Sequence, residues 1–214
     1  MLLSNVIPLS KELALPKTSK HKGWHISQFV ESKSLPWALM GLFIGFTYSG
    51  VLVFIPIELN RMGAGIWGSA FFAIFALIII VSRPLVGKVY ARYGSKFIIY
   101  PGLGLFILGL FGLGLATTPM AIIFTAPLLG LGYGAAQPAF QALAIQSAPI
   151  ERAGVSTATY FLALDISVGA GSIILALLAN ALGYQYLYII AALVMVIALS
   201  LYHVWIKKYT PLEI

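Results

Sequence analysis

A single acidic residue, Asp165, stands inside a long apolar stretch of this 214-residue chain and away from its ends. A charged Asp near the centre of a bilayer costs roughly 2.5–3.5 kcal/mol on insertion scales, so it is tolerated when protonated or when it faces a polar cavity. Either condition suits reversible proton binding. The plainer alternative is a neutral Asp hydrogen-bonded to a neighbouring helix, and the Asp165-x-x-x-Gly169 context also fits helix packing. Gln137 and Gln141 are four residues apart and share one helix face, where their amides could hold a small ligand or tie helices together. Tyr48, midway through another apolar run, offers a ring for stacking or an ordinary core residue. Arg83, at the end of a run, is expected to snorkel toward the interface, with anion binding the lesser alternative. Glu58 and Arg61, three apart, are expected to form a solvated local pair.

Other chemistries find no residues. There is no cysteine, which removes thiolate catalysis and Cys-ligated metals, and His21, His25 and His203 lie outside the apolar runs or at their ends. Gly102-x-Gly104 lies within an apolar run with no strand before it, so it is no nucleotide fingerprint. No phosphate loop, metal-ligand spacing or triad is present. The expectation is no cofactor, no metal and no enzyme.

The elements that must position these residues follow from composition. The chain is 60% hydrophobic and only 9% charged, with a mean hydropathy of +0.97, whereas soluble domains carry about 25% charged residues. So little charge cannot coat a soluble surface. Six runs are long enough to cross a bilayer, at 35–59, 63–82, 97–116, 120–146, 157–182 and 184–206, since a spanning helix needs about 20 apolar residues. None alternates as a barrel strand would. The expected fold is an all-α polytopic membrane protein with six transmembrane helices.

The basic residues orient it. On one alternate side lie Lys11, Lys17, Lys20, Lys22, Lys33, Arg83, Lys88, Arg92, Lys96, Arg152, Lys207 and Lys208; on the other lies only Arg61. The positive-inside rule then expects both termini in the cytoplasm. The net charge of +7 is thus a topology signal and no nucleic-acid footprint. Residues 1–34 are expected to be a cytoplasmic leader or linker in which Trp24, Ile26, Phe29 and Val30 suit a short interfacial helix. Residues 207–214 form a tail.

The six spans divide into three plus three. Each triplet opens with an interrupted span, at Tyr48–Ser49–Gly50 with Pro56, and at Gly130 to Gln137–Pro138. Such pairs point to a substrate pathway in secondary transporters, and an odd triplet necessarily inverts the second copy. The glycines at 102, 104, 109, 112, 114, 130, 134, 169 and 171 are expected to allow close helix approach.

The stretch 83–96, expected to be a cytoplasmic loop, reads Arg83-Pro-Leu-Val-Gly87-Lys-Val-Tyr-Ala91-Arg92-Tyr-Gly94-Ser95-Lys96. It resembles the major facilitator superfamily signature between the second and third helices of each six-helix half: Gly, three residues, Asp, Arg or Lys, any residue, Gly, two basic residues. Gly87, Arg92, Gly94 and Lys96 match; Ala91 stands in place of Asp, and Ser95 in place of a basic residue. Gly130-Leu-Gly-Tyr-Gly134-Ala-Ala-Gln137-Pro138 with Gln141, the Pro149–Gly154 stretch, and Leu164-Asp165 to Gly171 resemble the C-terminal half of bacterial drug:proton antiporter-like members. The resemblance implies half of a major facilitator fold, a 3+3 inverted repeat, and Arg92 and Lys96 acting in a cytoplasmic latch. It also implies proton-coupled efflux of a small molecule by alternating access, in the bacterial cytoplasmic membrane. Asp165, Gln137, Gln141 and Tyr48 would line the substrate and proton pathway. The partner would be an N-terminal six-helix half or a second copy. The alternatives are a non-transporting fragment and a regulatory or binding membrane subunit.

Overall fold

The computed structural model describes residues 29–209, with side chains to Trp205. Six helices occupy nearly all of it: α1 Leu35–Arg61, α2 Ile66–Tyr93, α3 Lys96–Leu115, α4 Pro119–Gln146, α5 Ala153–Leu182 and α6 Tyr184–Tyr209. One-turn 3-10 helices at Ser32–Ser34 and Ile150–Arg152 precede α1 and α5. At 20 to 30 residues each, the helices run about 30–45 Å at 1.5 Å per residue, enough for a hydrocarbon core of about 30 Å. The described residues form a bundle of six apolar helices long enough to span a membrane.

Short turns force neighbouring helices to alternate in direction. Gly94 (φ 81°) ends α2, and Gly183 (φ 95°) is the whole connection between α5 and α6. Both adopt a conformation that other residues enter only with strain. Thr118 caps α4, its hydroxyl accepting from the Ala121 N–H at 3.2 Å, with Pro119 following. One end of the bundle therefore gathers Lys33, Arg92, Lys96 and Arg152, and is called here the basic end. The far end holds the turns at 62–65, 116–118 and Gly183.

Expected and observed boundaries differ most at 83–96. This stretch is no loop: α2 continues through Arg83, Gly87 and Arg92 to Tyr93, Lys96 already opens α3, and only Gly94 and Ser95 lie between them. Loss of hydrophobicity marks where a helix leaves the apolar layer. The helix itself stops where its backbone is terminated, here by Gly94. Of the expected interfacial helix, residues up to 28 and the tail beyond 209 lie outside the described residues. The described remainder, Phe29–Ser34, is a turn and one 3-10 turn. Glu31 and Ser34 are buried there.

Packing follows the inverted repeat. α1 packs chiefly on α5, and α4 on α2 and α3, while α6 backs α1 and α3. The first helix of each triplet thus lies against the middle helix of the other, giving half of a major facilitator fold. The helices form a row α2–α4–α1–α5, backed by α3 and α6, and no further helix of the described chain covers the opposite side of the row. Small residues allow the close crossings: a Cβ on Gly132 would lie 2.5 Å from the Phe106 nitrogen, and one on Gly45 would lie 2.5 Å from the Leu164 carbonyl oxygen. Gly104 and Gly169 differ from the packing role expected of them, since a Cβ on either would meet nothing within 4 Å.

Candidate functional site

The middle of the row is aromatic. Tyr48 of α1 and Tyr133 of α4 stack with ring centroids 4.3 Å apart, and Phe75 of α2 lies 6.2 Å from Tyr48 and 6.1 Å from Tyr133. Both tyrosines are half-buried. At 1.5 Å per residue Tyr48 is about 20 Å along α1 and Tyr133 about 21 Å along α4, midway through each. Asp165 of α5 lies about 18 Å from the basic end of its helix by the same measure. Its side chain is exposed on the bundle surface, and Asp165 and Arg83 both lie within electrostatic range of Tyr133.

Between α2 and α4, toward the basic end, a cavity of about 340 Å³ is lined by Arg83, Gly87, Tyr90, Gly134, Gln137 and Gln141, among others. Gln137 and Gln141 reach it from successive turns of α4, as their spacing requires. Gly134 keeps that face shallow: a Cβ there would lie 3.2 Å from the Ile79 side chain of α2. Tyr160 of α5 donates its hydroxyl to the Gln137 carbonyl oxygen at 3.0 Å, fixing the backbone there beside Pro138. Tyr90 donates to Gln146 Oε1 at 3.3 Å at the cavity's basic end. A guanidinium, amides and phenols give hydrogen bonds and charge. Among the described residues no three His, Asp or Glu side chains converge as metal ligands would. Most hydroxyls inside the helices are spent on their own backbone, as with Thr47 on the Phe43 and Ile44 carbonyls and Ser167 on Leu164. They leave Tyr48, Tyr133, Gln137, Gln141, Arg83 and Asp165 as the side-chain chemistry of the middle of the row.

The profile of the Major Facilitator Superfamily matches residues 3–172. The chain belongs to that superfamily. It is similar to the uncharacterized MFS-type transporter YhhS of Escherichia coli O6:H1, 28% identical over 182 residues, covering 82% of this chain and 44% of the relative. The protein of the same name from Salmonella enteritidis PT4 is 26% identical over 223 residues, covering 99% of this chain and 52% of its own length. The chain spans about half the length of the curated relatives it matches.

Within this major facilitator bundle the expected site residues fall into three places. Arg83, Gly87, Gln137 and Gln141 share the α2–α4 cavity. Tyr48 belongs to the aromatic stack, and Asp165 to the exposed face of α5. The remaining signature residues sit at the basic end: Arg92 lies over the Tyr93 ring at 5.2 Å, Gly94 makes the turn, and Lys96 is exposed at the start of α3. With Ala91 in place of the superfamily's Asp, position 91 brings no carboxylate to this turn.

Two residues carry more than their sequence context suggested. Tyr133 is four before Gln137 and eight before Gln141, hence on the same face, a spacing that was there to be found. Glu58 is a correction. It is not solvated but 5% exposed, on the face of α1 that also buries Ile55 and Leu59, and it makes no ion pair within 4 Å with Arg61. Arg61 instead lies over the Tyr184 ring at 5.0 Å.

Proposed function

We propose that this chain is one six-helix half of a secondary transporter of the drug:proton antiporter kind, a carrier and no enzyme, completed by a second six-helix bundle. That bundle is an N-terminal half or a second copy of this chain. The two halves rock about the row α2–α4–α1–α5 and expose its cavity to each side of the membrane in turn. The cargo is a small molecule, held by the Tyr48–Tyr133 stack and the amides of Gln137 and Gln141, with Arg83 at the cavity's edge. Asp165 exchanges the proton that drives efflux. The basic end faces the cytoplasm of a bacterial inner membrane, as the excess of Lys and Arg there favours.

The observation that carries this reading is the exposed carboxylate midway along α5, on an outer face shared with Leu162, Ile166 and Gly169. In lipid, Asp165 bears the full insertion cost; against a second bundle it faces a polar interior. The test uses everted membrane vesicles containing the protein, with acridine orange reporting the proton gradient and ethidium and other lipophilic cations added in turn. The wild type should release protons on addition of a cargo. Asp165→Asn, with unchanged membrane insertion, should not. Coupling that survives in Asp165→Asn makes Asp165 structural. A wild type inert to every cation and to a matching panel of anions and neutral drugs, both alone and co-expressed with an N-terminal six-helix half, returns the chain to the non-transporting alternatives.

A further inference from the structure

Glu58 lies near the far end of α1, about 34 Å along the helix from Leu35 at 1.5 Å per residue, well away from Asp165. Its Oε2 is buried and has no hydrogen-bond partner, and the same holds for the Tyr188 hydroxyl of α6. The two groups are near enough to influence each other, yet no well-formed hydrogen bond joins them. The carboxyl is faced by Tyr188 from α6 and Arg61 from its own helix, and Tyr184 and Tyr186 of α6 line the same cavity. Around it, α2 contributes the backbone of Gly68 against Pro56, and α5 ends in Leu182. A cavity of about 320 Å³ opens at this end, lined by Glu58, Arg61, Leu182, Gly183, Tyr184 and Gln185, among others.

An ionised carboxylate with an unpartnered buried oxygen is costly, and its nearest cation rests on an aromatic ring instead of on it. A carboxylic acid has no such penalty, because the proton removes the charge and supplies a donor. The cavity gives that proton a way in and out. Arg61, three residues on, is one side-chain rotation from the carboxyl, since positions i and i+3 are neighbours on a helix surface.

We propose that Glu58 is a second reversible proton site of this protein, opening on the far-end cavity and answered by Arg61. With the carboxyl protonated, the guanidinium rests on Tyr184. When the proton leaves to water in the cavity, the guanidinium swings to pair with the carboxylate and closes the cavity's mouth. The transporter reading gives this proton a use, but the site stands on its own geometry.

The test therefore needs neither cargo nor partner. The purified full-length chain in detergent is treated with dicyclohexylcarbodiimide, which captures protonated carboxyls in apolar surroundings, and adducts are mapped by peptide mass spectrometry. Glu58 should carry an adduct at about pH 5 that falls at least tenfold by about pH 9, while exposed Glu151 stays unlabelled. Arg61→Gln removes the cation that favours the carboxylate, so labelling should persist to higher pH. In the infrared difference between the same two pH values, one protonated-carboxyl component should disappear in Glu58→Gln and that same component should be kept in Asp165→Asn. No adduct at either pH, or labelling that neither pH nor Arg61→Gln moves, overturns the proposal. A failed ethidium assay leaves it untouched.

Discussion

The rings of Tyr48 and Tyr133 lie 4.3 Å apart with planes 21° from parallel, and they are the main aromatic contact between the first helices of the two triplets. Each ring belongs to a helix interrupted by proline, Pro56 in α1 and Pro127 and Pro138 in α4. The stack joins the two helices midway along their length. A ring pair adds about 0.5–1.5 kcal/mol beyond the area it buries. Tyr48→Phe should keep the stack and leave the melting temperature in detergent unchanged. Tyr133→Ala should lower it, because Phe75 and Phe106 also lose a neighbour. Tyr48→Phe melting as low as Tyr133→Ala would place the contribution in the hydroxyl and not in the ring.

The glycines separate into two groups that one assay distinguishes. Gly132→Ala drives a methyl into the backbone of Phe106, and Gly45→Ala into the Leu164 carbonyl and the Ser167 hydroxyl. Backbone cannot rotate away, so each should cost about 1–3 kcal/mol. Gly104→Ala, with open space around it, should be neutral or slightly stabilising, since Ala is the better helix former by up to about 1 kcal/mol. Melting temperatures of the four purified proteins decide it, and equal losses at 104 and 132 would refute the assignment of the α3–α4 crossing to Gly132.

Much of this was legible beforehand, for a physical reason. Bilayer thickness imposes a length that any spanning helix must meet, so the six runs stand out without knowledge of their neighbours. What lay beyond reach depended on partners. Glu58 is buried because α6 brings Tyr188 over it, a contact between residues 130 positions apart. Its place beside Ile55 and Leu59 was the local hint. The helical course of 83–93 escaped because hydrophobicity reports the membrane and not the hydrogen-bond ladder. Tyr133 stands amid glycines that read as packing residues, although its spacing from Gln137 and Gln141 puts it on their face. The exposure of Gly169 required knowing that α5 turns this face away from α1.

At the basic end, the segment before α1 is tied to the α4–α5 region. The buried Glu31 N–H donates to Thr159 Oγ1 at 2.9 Å, and the Glu31 carboxylate pairs with Arg152 Nε at 2.5 Å. The Ala144 carbonyl accepts from Ser34, Ser147 and Ser156 at 2.9, 2.7 and 2.6 Å. Redundancy protects that carbonyl, so Ser156→Ala should cost about 1 kcal/mol or less. Thr159→Val, equal in shape, strands a buried N–H and should cost about 1–3 kcal/mol. Melting in detergent should therefore rank Thr159→Val below Ser156→Ala; the reverse order would mean that the serine cluster, and not Glu31, anchors the segment.

The exposed face of α5 gives the sharpest test of a second bundle. Leu162, Ile166, Ile173 and Leu177 are all more than half exposed and recur at helical spacing, with Asp165 and Gly169 among them. Leucine and isoleucine alone would suit lipid, but an acid and a glycine with an open flank suit a closely approaching helix. The chain has no cysteine, so single cysteines can be introduced without a background. Leu162→Cys and Ile173→Cys, three turns apart on this face, should form disulfides in native membranes under mild oxidation. Leu108→Cys on α3 and Leu193→Cys on α6, equally exposed on the backing helices, should not. A product of twice the chain mass identifies a second copy of this chain on this face, whose own introduced cysteine supplies the other thiol. If cysteines on α5 stay unpaired, or pair no better than those on α3 and α6, no second copy of this chain packs on this face.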